Sequence, residues 1–291
     1  MSCIVCKGSN YSKLYYKENS VIVKCACSFI YIPEPNDLIY ENLKNEDVAR
    51  EIRKGNNWLK EQHHLRRIKL IKKYKRDGRL FDLGAGWGHF LSSAVKAGYD
   101  GSGIEIGEEL YKYAKYDLGL NVSNENIFDI RPQKEYDIIT MWDVLEHIKD
   151  ADIVIDKCSK MLKDDGFIFI QVPQIDSFIA RIFKDKWHHI TSSHINYFSK
   201  NTVTALLKQY GIEVISIRSN IELKHVLVNV ILPLIKGKSP DFAGSQEDFN
   251  KITNKPVWVL KVMLLAQNIL LDVLSFFRIG EEMIVIGRKL D

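Results

Sequence analysis

The chain predicts an α/β protein whose mostly parallel sheet carries helices on both faces, and three observations support that expectation. From Arg79 onward, short apolar runs alternate with amphipathic stretches, the order of a sheet built from successive strand–helix units. The amphipathic stretches stop at Gly98, Gly119 and Gly211, and glycine ends helices because it takes the left-handed conformation without strain. The 291 residues, 46% hydrophobic and 27% charged, supply apolar surface for one large core and exclude disordered or fibrous classes. Lys+Arg 41 against Asp+Glu 37 leaves a net charge of +4, too weak a bias for a nucleic-acid partner, so none is expected.

The amino-terminal segment has neither a basic start nor an apolar run of signal-peptide length, which places the chain by expectation in the reducing cytoplasm. Four of its five cysteines fall there, as Cys3-x-x-Cys6 and Cys25-x-Cys27. Tyr11 to Lys24, with Leu14, Tyr15, Tyr16, Val21, Ile22 and Val23, suits a strand pair between two knuckles, and the four thiolates suit a structural zinc ion. The second pair is one residue tighter than the commoner C-x-x-C. Cys158 stands alone in a helical stretch and reads as a small buried hydrophobe.

Pro33 and Pro35 close this module at 1–35, and a polar, helix-forming neck follows over 36–78. In it Arg66, Arg67, Lys69, Lys72, Lys73, Lys75 and Arg76 interleave with Leu65, Ile68, Leu70 and Ile71, the pattern of an amphipathic helix with a solvated basic face. Over 79–291 strands are expected at Leu80-Phe81, Gly103 to Ile106, Tyr136 to Met141, Phe167 to Val172, Val214 to Ile217 and Met283 to Ile286. Helices are expected at Phe90 to Ala97, Glu108 to Asp117, Asp152 to Leu162 and Thr202 to Gln209. Before the last strand the chain inserts an apolar helical region over 221–280. Within it Val257 to Phe277 is long enough to span a membrane, but Lys261, Asn268, Asp272 and Ser275 share one stripe and make it amphipathic. Burial against the domain or a homodimer partner is the plain reading, and peripheral membrane contact near a lipid-linked substrate is the sharper one.

The first strand of the α/β region runs into Asp82-Leu-Gly84-Ala-Gly86-Trp-Gly88, followed at once by an apolar helix. Glycines let the backbone turn sharply and approach a ligand closely, and the helix start offers unpaired N–H groups. Glu105 lies about 20 residues beyond, where a carboxylate accepts both hydroxyls of a ribose, so the pair reads as a nucleoside-type cofactor site. The dinucleotide pattern G-x-G-x-x-G fails, because His89 occupies its third position.

Glycines at every second residue after an aspartate resemble motif I of the class I S-adenosylmethionine-dependent methyltransferases. The resemblance extends through Tyr136-Asp-Ile-Ile-Thr-Met-Trp-Asp-Val-Leu-Glu-His147 and through Asp164-Asp165-Gly166 before the next strand. It implies a Rossmann-like fold with a seven-stranded sheet. It also implies S-adenosylmethionine as cofactor, held by Asp82, Gly84, Ala85, Gly86, Gly88, Glu105, Ile106, Asn126, Ile127 and Met141. Pro173-Gln-Ile-Asp-Ser through Trp187 to His194-Ile-Asn-Tyr-Phe-Ser199 resembles, more narrowly, a subgroup that modifies sugars and other cell-surface or secondary metabolites and commonly carries an amino-terminal cysteine knuckle. A small-molecule acceptor, sugar or lipid-linked, is then the expected partner.

Methyl transfer to a hydroxyl needs alignment, exclusion of water and removal of a proton. The turns after Met141 and Val172 lie at the strands' carboxyl ends, where the acceptor belongs. Candidate bases are therefore Asp143, Glu146 and His147 on one side and His188, His189 and His194 on the other, with His147, His194 and Asp143 preferred. The adjacent His188 and His189 are not expected to point the same way, and no ligand spacing there favours a catalytic metal. A lipophilic phenol or quinone-like acceptor is the alternative within enzymes, and a zinc-containing RNA- or protein-binding module with a vestigial cofactor fold is the alternative outside them.

Overall fold

The computed structural model describes residues 2–35, 57–220 and 280–290. Five parallel strands form the centre of the main sheet: β4 (Arg79–Leu83), β5 (Asp100–Ile104), β6 (Asn121–Ser123), β7 (Tyr136–Trp142) and β8 (Leu162–Pro173). β10 (Ile212–Asn220) and β11 (Glu282–Lys289) complete it, β11 running antiparallel to both neighbours, in the order β6-β5-β4-β7-β8-β11-β10. The seven-stranded, mostly parallel sheet predicted above is present. Its order reverses between β4 and β7, so the turns that follow these strands open a crevice at their carboxyl edge.

Central strands buried on both faces need continuous apolar runs, and Ile138, Ile139 and Met141 of β7 and Ile168, Phe169 and Ile170 of β8 are all fully buried. One face is covered by α4 (Ala151–Met161) and α6 (Lys200–Gln209), through Val154, Ile155 and Cys158 and through Val203, Leu206 and Leu207. The other takes α1 (Asn57–Ile71) and α2 (His89–Lys96), through Ile68 and Ile71 and through Phe90, Leu91 and Ala94. α3 (Glu108–Lys112) is only five residues long and continues as a wide turn, Tyr113–Asp117.

Two expectations shift. The second strand of the domain is Asp100–Ile104 rather than Gly103 to Ile106, and β6 was not foreseen. Gly101 and Gly103 hide β5 from a β-propensity reading, yet a Cβ built on Gly103 would lie 2.6 Å from the carbonyl oxygen of Asp82, so the packing of β4 beside β5 excludes a side chain. β6 is three residues with a single apolar member, Val122, and carries no periodicity to read.

A second, four-stranded sheet joins β1 (Tyr11–Lys17), β2 (Ser20–Cys25), β3 (Ile30–Tyr31) and β9 (Asn196–Tyr197), each antiparallel to the next. The strand pair expected between the cysteines is β1–β2. Its continuation into β9 binds the amino-terminal strands to the α/β domain, and Phe29 and Tyr31 share a buried cluster with Phe198 and Val203. α5 (Phe178–Phe183) lies between β8 and β9. Much of the neck, 36–56, and the apolar insertion with its 257–277 stretch lie outside the described residues. No helix among the described residues is long and apolar enough to cross a membrane.

Gly103→Ala should cost about 2–3 kcal/mol, the usual penalty of overpacking against atoms that cannot yield. Urea unfolding of the variant beside the parent checks it, and an unchanged midpoint would mean that β4 and β5 separate freely.

Candidate active site

The turn after β4 is shaped by three glycines with positive φ: Gly84 (73°), Gly86 (54°) and Gly88 (73°). A Cβ on Gly84 would meet Val144 at 2.6 Å and one on Gly88 would meet Leu120 at 2.6 Å, so both are required by packing. A Cβ on Gly86 would meet nothing within 4 Å, so this glycine faces open space and leaves its backbone accessible. Glu105, one residue past β5, accepts hydrogen bonds from Gly86 N–H at 2.7 Å and Gly107 N–H at 2.7 Å, one on each carboxylate oxygen. Each oxygen keeps a second lone pair, the number that two ribose hydroxyls require. Burial raises its pKa, and the N–H groups of Gly107, Gly86 and Ile106 oppose that rise.

Asp82 is buried at the end of β4 and accepts from Thr140 Oγ at 2.6 Å. Burial pushes its carboxyl up to about 7, against the Thr140 hydrogen bond and the Arg67 charge. Ala85 is buried, Ile106 is 42% exposed beside the turn after β5, and Met141 is fully buried within β7. Asn126 is exposed and accepts from Phe128 N–H at 3.1 Å, whereas its neighbour Ile127 is buried. Asn124 donates to the carbonyl of Glu105 at 2.7 Å and fastens this loop to the turn after β5.

Past β7 the chain turns at Asp143, a non-glycine residue at φ 60°. Its carboxylate accepts from Arg67 Nη2 at 3.2 Å and from Gln171 Nε2 at 3.0 Å. Arg67 also stacks over Trp142, 4.3 Å from the ring centroid, and is only 8% exposed. The expectation of a solvated Arg67 is therefore corrected: α1 turns this guanidinium inward, onto the end of β7. Only a partner contributed by a distant strand reveals it, and helical periodicity cannot.

Glu146 and His147 sit on a short 3₁₀ turn, Leu145–His147. His147 Nδ1 lies 2.8 Å from the carbonyl of Ser193, and His194 Nδ1 lies 2.8 Å from the carbonyl of His189. Since a carbonyl only accepts, both Nδ1 atoms carry hydrogen and both Nε2 atoms present lone pairs. The rings meet edge to face at 4.8 Å. Burial lowers both imidazoles, His194 to about 3, whereas burial and then the Asp143 charge raise Glu146 well above the carboxylate range. His188 and His189 lie in a turn with their rings 4.0 Å apart, so they point the same way after all, and Nδ1 of His188 is 3.3 Å from Glu281 Oε2. His147, His194 and Glu146 offer donor atoms within 4.8 Å of one another, a grouping that linear spacing did not disclose.

The four amino-terminal cysteines converge: Sγ of Cys3 is 3.5 Å from that of Cys27, Sγ of Cys6 is 3.4 Å from that of Cys25, and all lie within 4.8 Å. Four thiolates about 2.3 Å from one zinc ion stand about 3.8 Å apart, so the set fits that ion.

Residues 48–217 match the family model described as a methyltransferase domain, and the chain belongs to that family. The fold is shared with an S-adenosylmethionine-dependent methyltransferase from Thermotoga maritima, at a TM-score of 0.53 and 16% identity over 86% of this chain and 98% of that one. A second such structure, from Archaeoglobus fulgidus, gives 0.51 and 20% over 79% and 94%. Among curated relatives, the ubiquinone biosynthesis O-methyltransferase of Salmonella paratyphi A is 25% identical over 149 residues, 45% of this chain and 62% of its own length. The chain thus spans less than two thirds of that relative. The domain is thus a methyltransferase domain, with the fold of these S-adenosylmethionine-dependent enzymes.

Asp82 holds its proton in the folded state up to about pH 7 but would release it near 3.8 when unfolded, so its burial erodes stability as pH rises from about 4 to 7 and not further. Asp82→Asn should therefore stabilise the cofactor-free protein by on the order of 2 kcal/mol at pH 8 and by little at pH 4, read from paired urea titrations. A gain independent of pH would assign another origin to it.

Proposed function

We propose that the chain transfers the methyl group of S-adenosylmethionine to a hydroxyl or amine of a small polar acceptor, a sugar, nucleotide sugar or glycolipid precursor. The observation that carries this reading is His147: an imidazole whose burial favours the neutral form, whose Nδ1–H is engaged by Ser193, and whose Nε2, 4.0 Å from Glu146 Oε1, is the nitrogen that would take a proton. Its turn follows the carboxyl end of β7, at the same edge of the sheet as the glycine turn after β4. S-adenosylmethionine, when bound, supplies an electrophilic methyl group. Glu105 would hold its ribose, Asp82 and the N–H groups beside Gly84, Ala85, Gly86 and Gly88 its amino-acid portion. Ile106, Asn126 and Ile127 would flank the base, with Met141 beneath. His147, with His194 packed against it, would remove the acceptor proton, and Asp143 with Arg67 would orient the acceptor.

Buried Oε2 of Glu146, Oε1 of Gln171 and Oδ1 of Asn196 have no hydrogen-bond partner among the described residues, which supports an acceptor rich in hydroxyls. A phenol or quinone-like acceptor is the second reading, favoured by the name of the curated relatives and by the apolar character of 221–280. Cys3, Cys6, Cys25 and Cys27 would bind one structural zinc ion. The reading further proposes a cytosolic enzyme without nucleic-acid partners, associating as a homodimer or peripherally with a membrane through that apolar region.

The test is calorimetric titration with S-adenosylmethionine and S-adenosylhomocysteine, NADH serving as negative control and zinc measured on the same sample. Micromolar binding of both with about one zinc per chain supports the framework, and nucleotide sugars are then screened first. Binding of neither overturns it. Glu105→Ala should weaken S-adenosylhomocysteine at least about tenfold, the worth of one or two hydrogen bonds to a charged group. Because burial lowers His147, the acid limb of the methyl-transfer rate should fall below pH 6.5, and a limb above 6.5 would remove His147 from the role of base.

A further inference from the structure

The turn that carries Glu146 and His147 is held almost entirely from one place, the segment Ser193 to Asn196. Ile195 N–H donates to the carbonyl of Glu146 at 2.8 Å, and the carbonyl of Ser193 takes the Nδ1–H of His147 at 2.8 Å. Asn196, 1% exposed, spends both carboxamide hydrogens here, donating from Nδ2 to the carbonyls of Leu145 at 3.3 Å and Ile148 at 2.7 Å. Two carbonyl partners also fix which end of the amide is nitrogen, since only Nδ2 donates.

A single 3₁₀ turn cannot hold itself. Its own bonds are His147 N–H to Val144 at 3.0 Å and Ile148 N–H to Leu145 at 3.4 Å, the second of them long. Asn196 bridges the two ends of that turn and is itself immobilised on its other side. It pairs with Tyr31 in the β3–β9 ladder, and Ile32 N–H donates to the carbonyl of Ile195 at 2.9 Å. Phe29 and Tyr31 stack at 5.6 Å, and Phe29 packs on Phe198 at 5.4 Å, so the cysteine-bearing strands brace β9 from behind.

We infer that Asn196 is a positioning residue: from β9 it clamps the Leu145–Ile148 turn and so keeps His147 as a single tautomer, its Nδ1–H on the Ser193 carbonyl. The inference rests on the reading of His147 as the base. It goes beyond it in assigning the base's orientation to a side chain about 50 residues away, backed by the amino-terminal sheet.

The test uses the full chain labelled with ¹⁵N-histidine. In the parent, the His147 ring should show one neutral Nδ1–H tautomer. In Asn196→Ala it should show a mixture, with its titration midpoint moved toward the ordinary value, while S-adenosylhomocysteine affinity stays within about twofold. A ring signal and midpoint identical to the parent's would overturn the inference. Where the variant does not fold, hydrogen exchange on the parent decides. The amides of Ile32, Ile148 and Ile195 should show protection within about threefold of one another, as one cooperative unit, and Ile148 exchanging independently of Ile195 overturns the clamp. Failure of the cofactor to bind the parent would remove the methyltransferase reading without touching either result.

Discussion

The Glu105 carboxylate ties together the turns after β4 and β5, beside the hydrogen bonds that Gly84 and Ala85 N–H donate to the Ile104 carbonyl at 3.0 and 2.9 Å. Its oxygens accept from Gly86 in the turn after β4 and from Gly107 in the turn after β5, each at 2.7 Å. A carboxylate buried at this depth is costly unless several donors face it, and here backbone N–H groups supply them. The glycine turn therefore takes its shape from a charge as much as from its own φ angles. Gly86 at φ 54° exposes backbone where a side chain would otherwise stand, and Asn124 fixes the third turn to the same residue through its carbonyl. One residue, through its carboxylate and its backbone carbonyl, thereby organises three loops at the carboxyl edge of a parallel sheet.

The opposite side of the crevice follows a different rule. Its titratable groups oppose one another: burial and then the Asp143 charge raise Glu146, and burial and then the His147 and His188 imidazoles lower His194. Arg67 moderates this field by pairing with Asp143 and stacking on Trp142. The result at neutral pH is a set of uncharged acids and bases beside a partly exposed Asp143–Arg67 pair. Uncharged groups exchange protons with an alcohol or amine without the reorganisation that water would impose.

What was legible in the sequence was local. Asp82 to Gly88, the apolar β7 and β8, and the carboxylate at Glu105 are read from consecutive residues and one fixed spacing along a strand–helix unit. Cys3, Cys6, Cys25 and Cys27 were legible because two tight turns announce themselves by spacing. What stayed hidden depends on contacts across the chain. Arg67 reads as one more cation on a basic helix until β7 is placed beside it. β5 is concealed by glycines that its neighbour demands. His188 and His189 face one way because a turn replaces the extended backbone on which adjacent side chains diverge.

The pairing of β3 with β9 gives the amino-terminal module a physical reason to be there. β9 has two residues, and the turn it supports has three, both far too short to be stable alone. Their order must come from outside, and the described structure offers β1, β2 and β3 on one side and the α/β core on the other. The cysteine-bearing strand β2 thus connects, through β3 and β9, to the Leu145–His147 turn, while Asp82 at the end of β4 and Gly86 and Glu105 in the turns after β4 and β5 are held by the main sheet. The Leu145–His147 turn and the Glu105 turn thus draw on different sheets, and the two sheets meet in one buried cluster that Phe29 and Tyr31 share with Leu83 and Ile104.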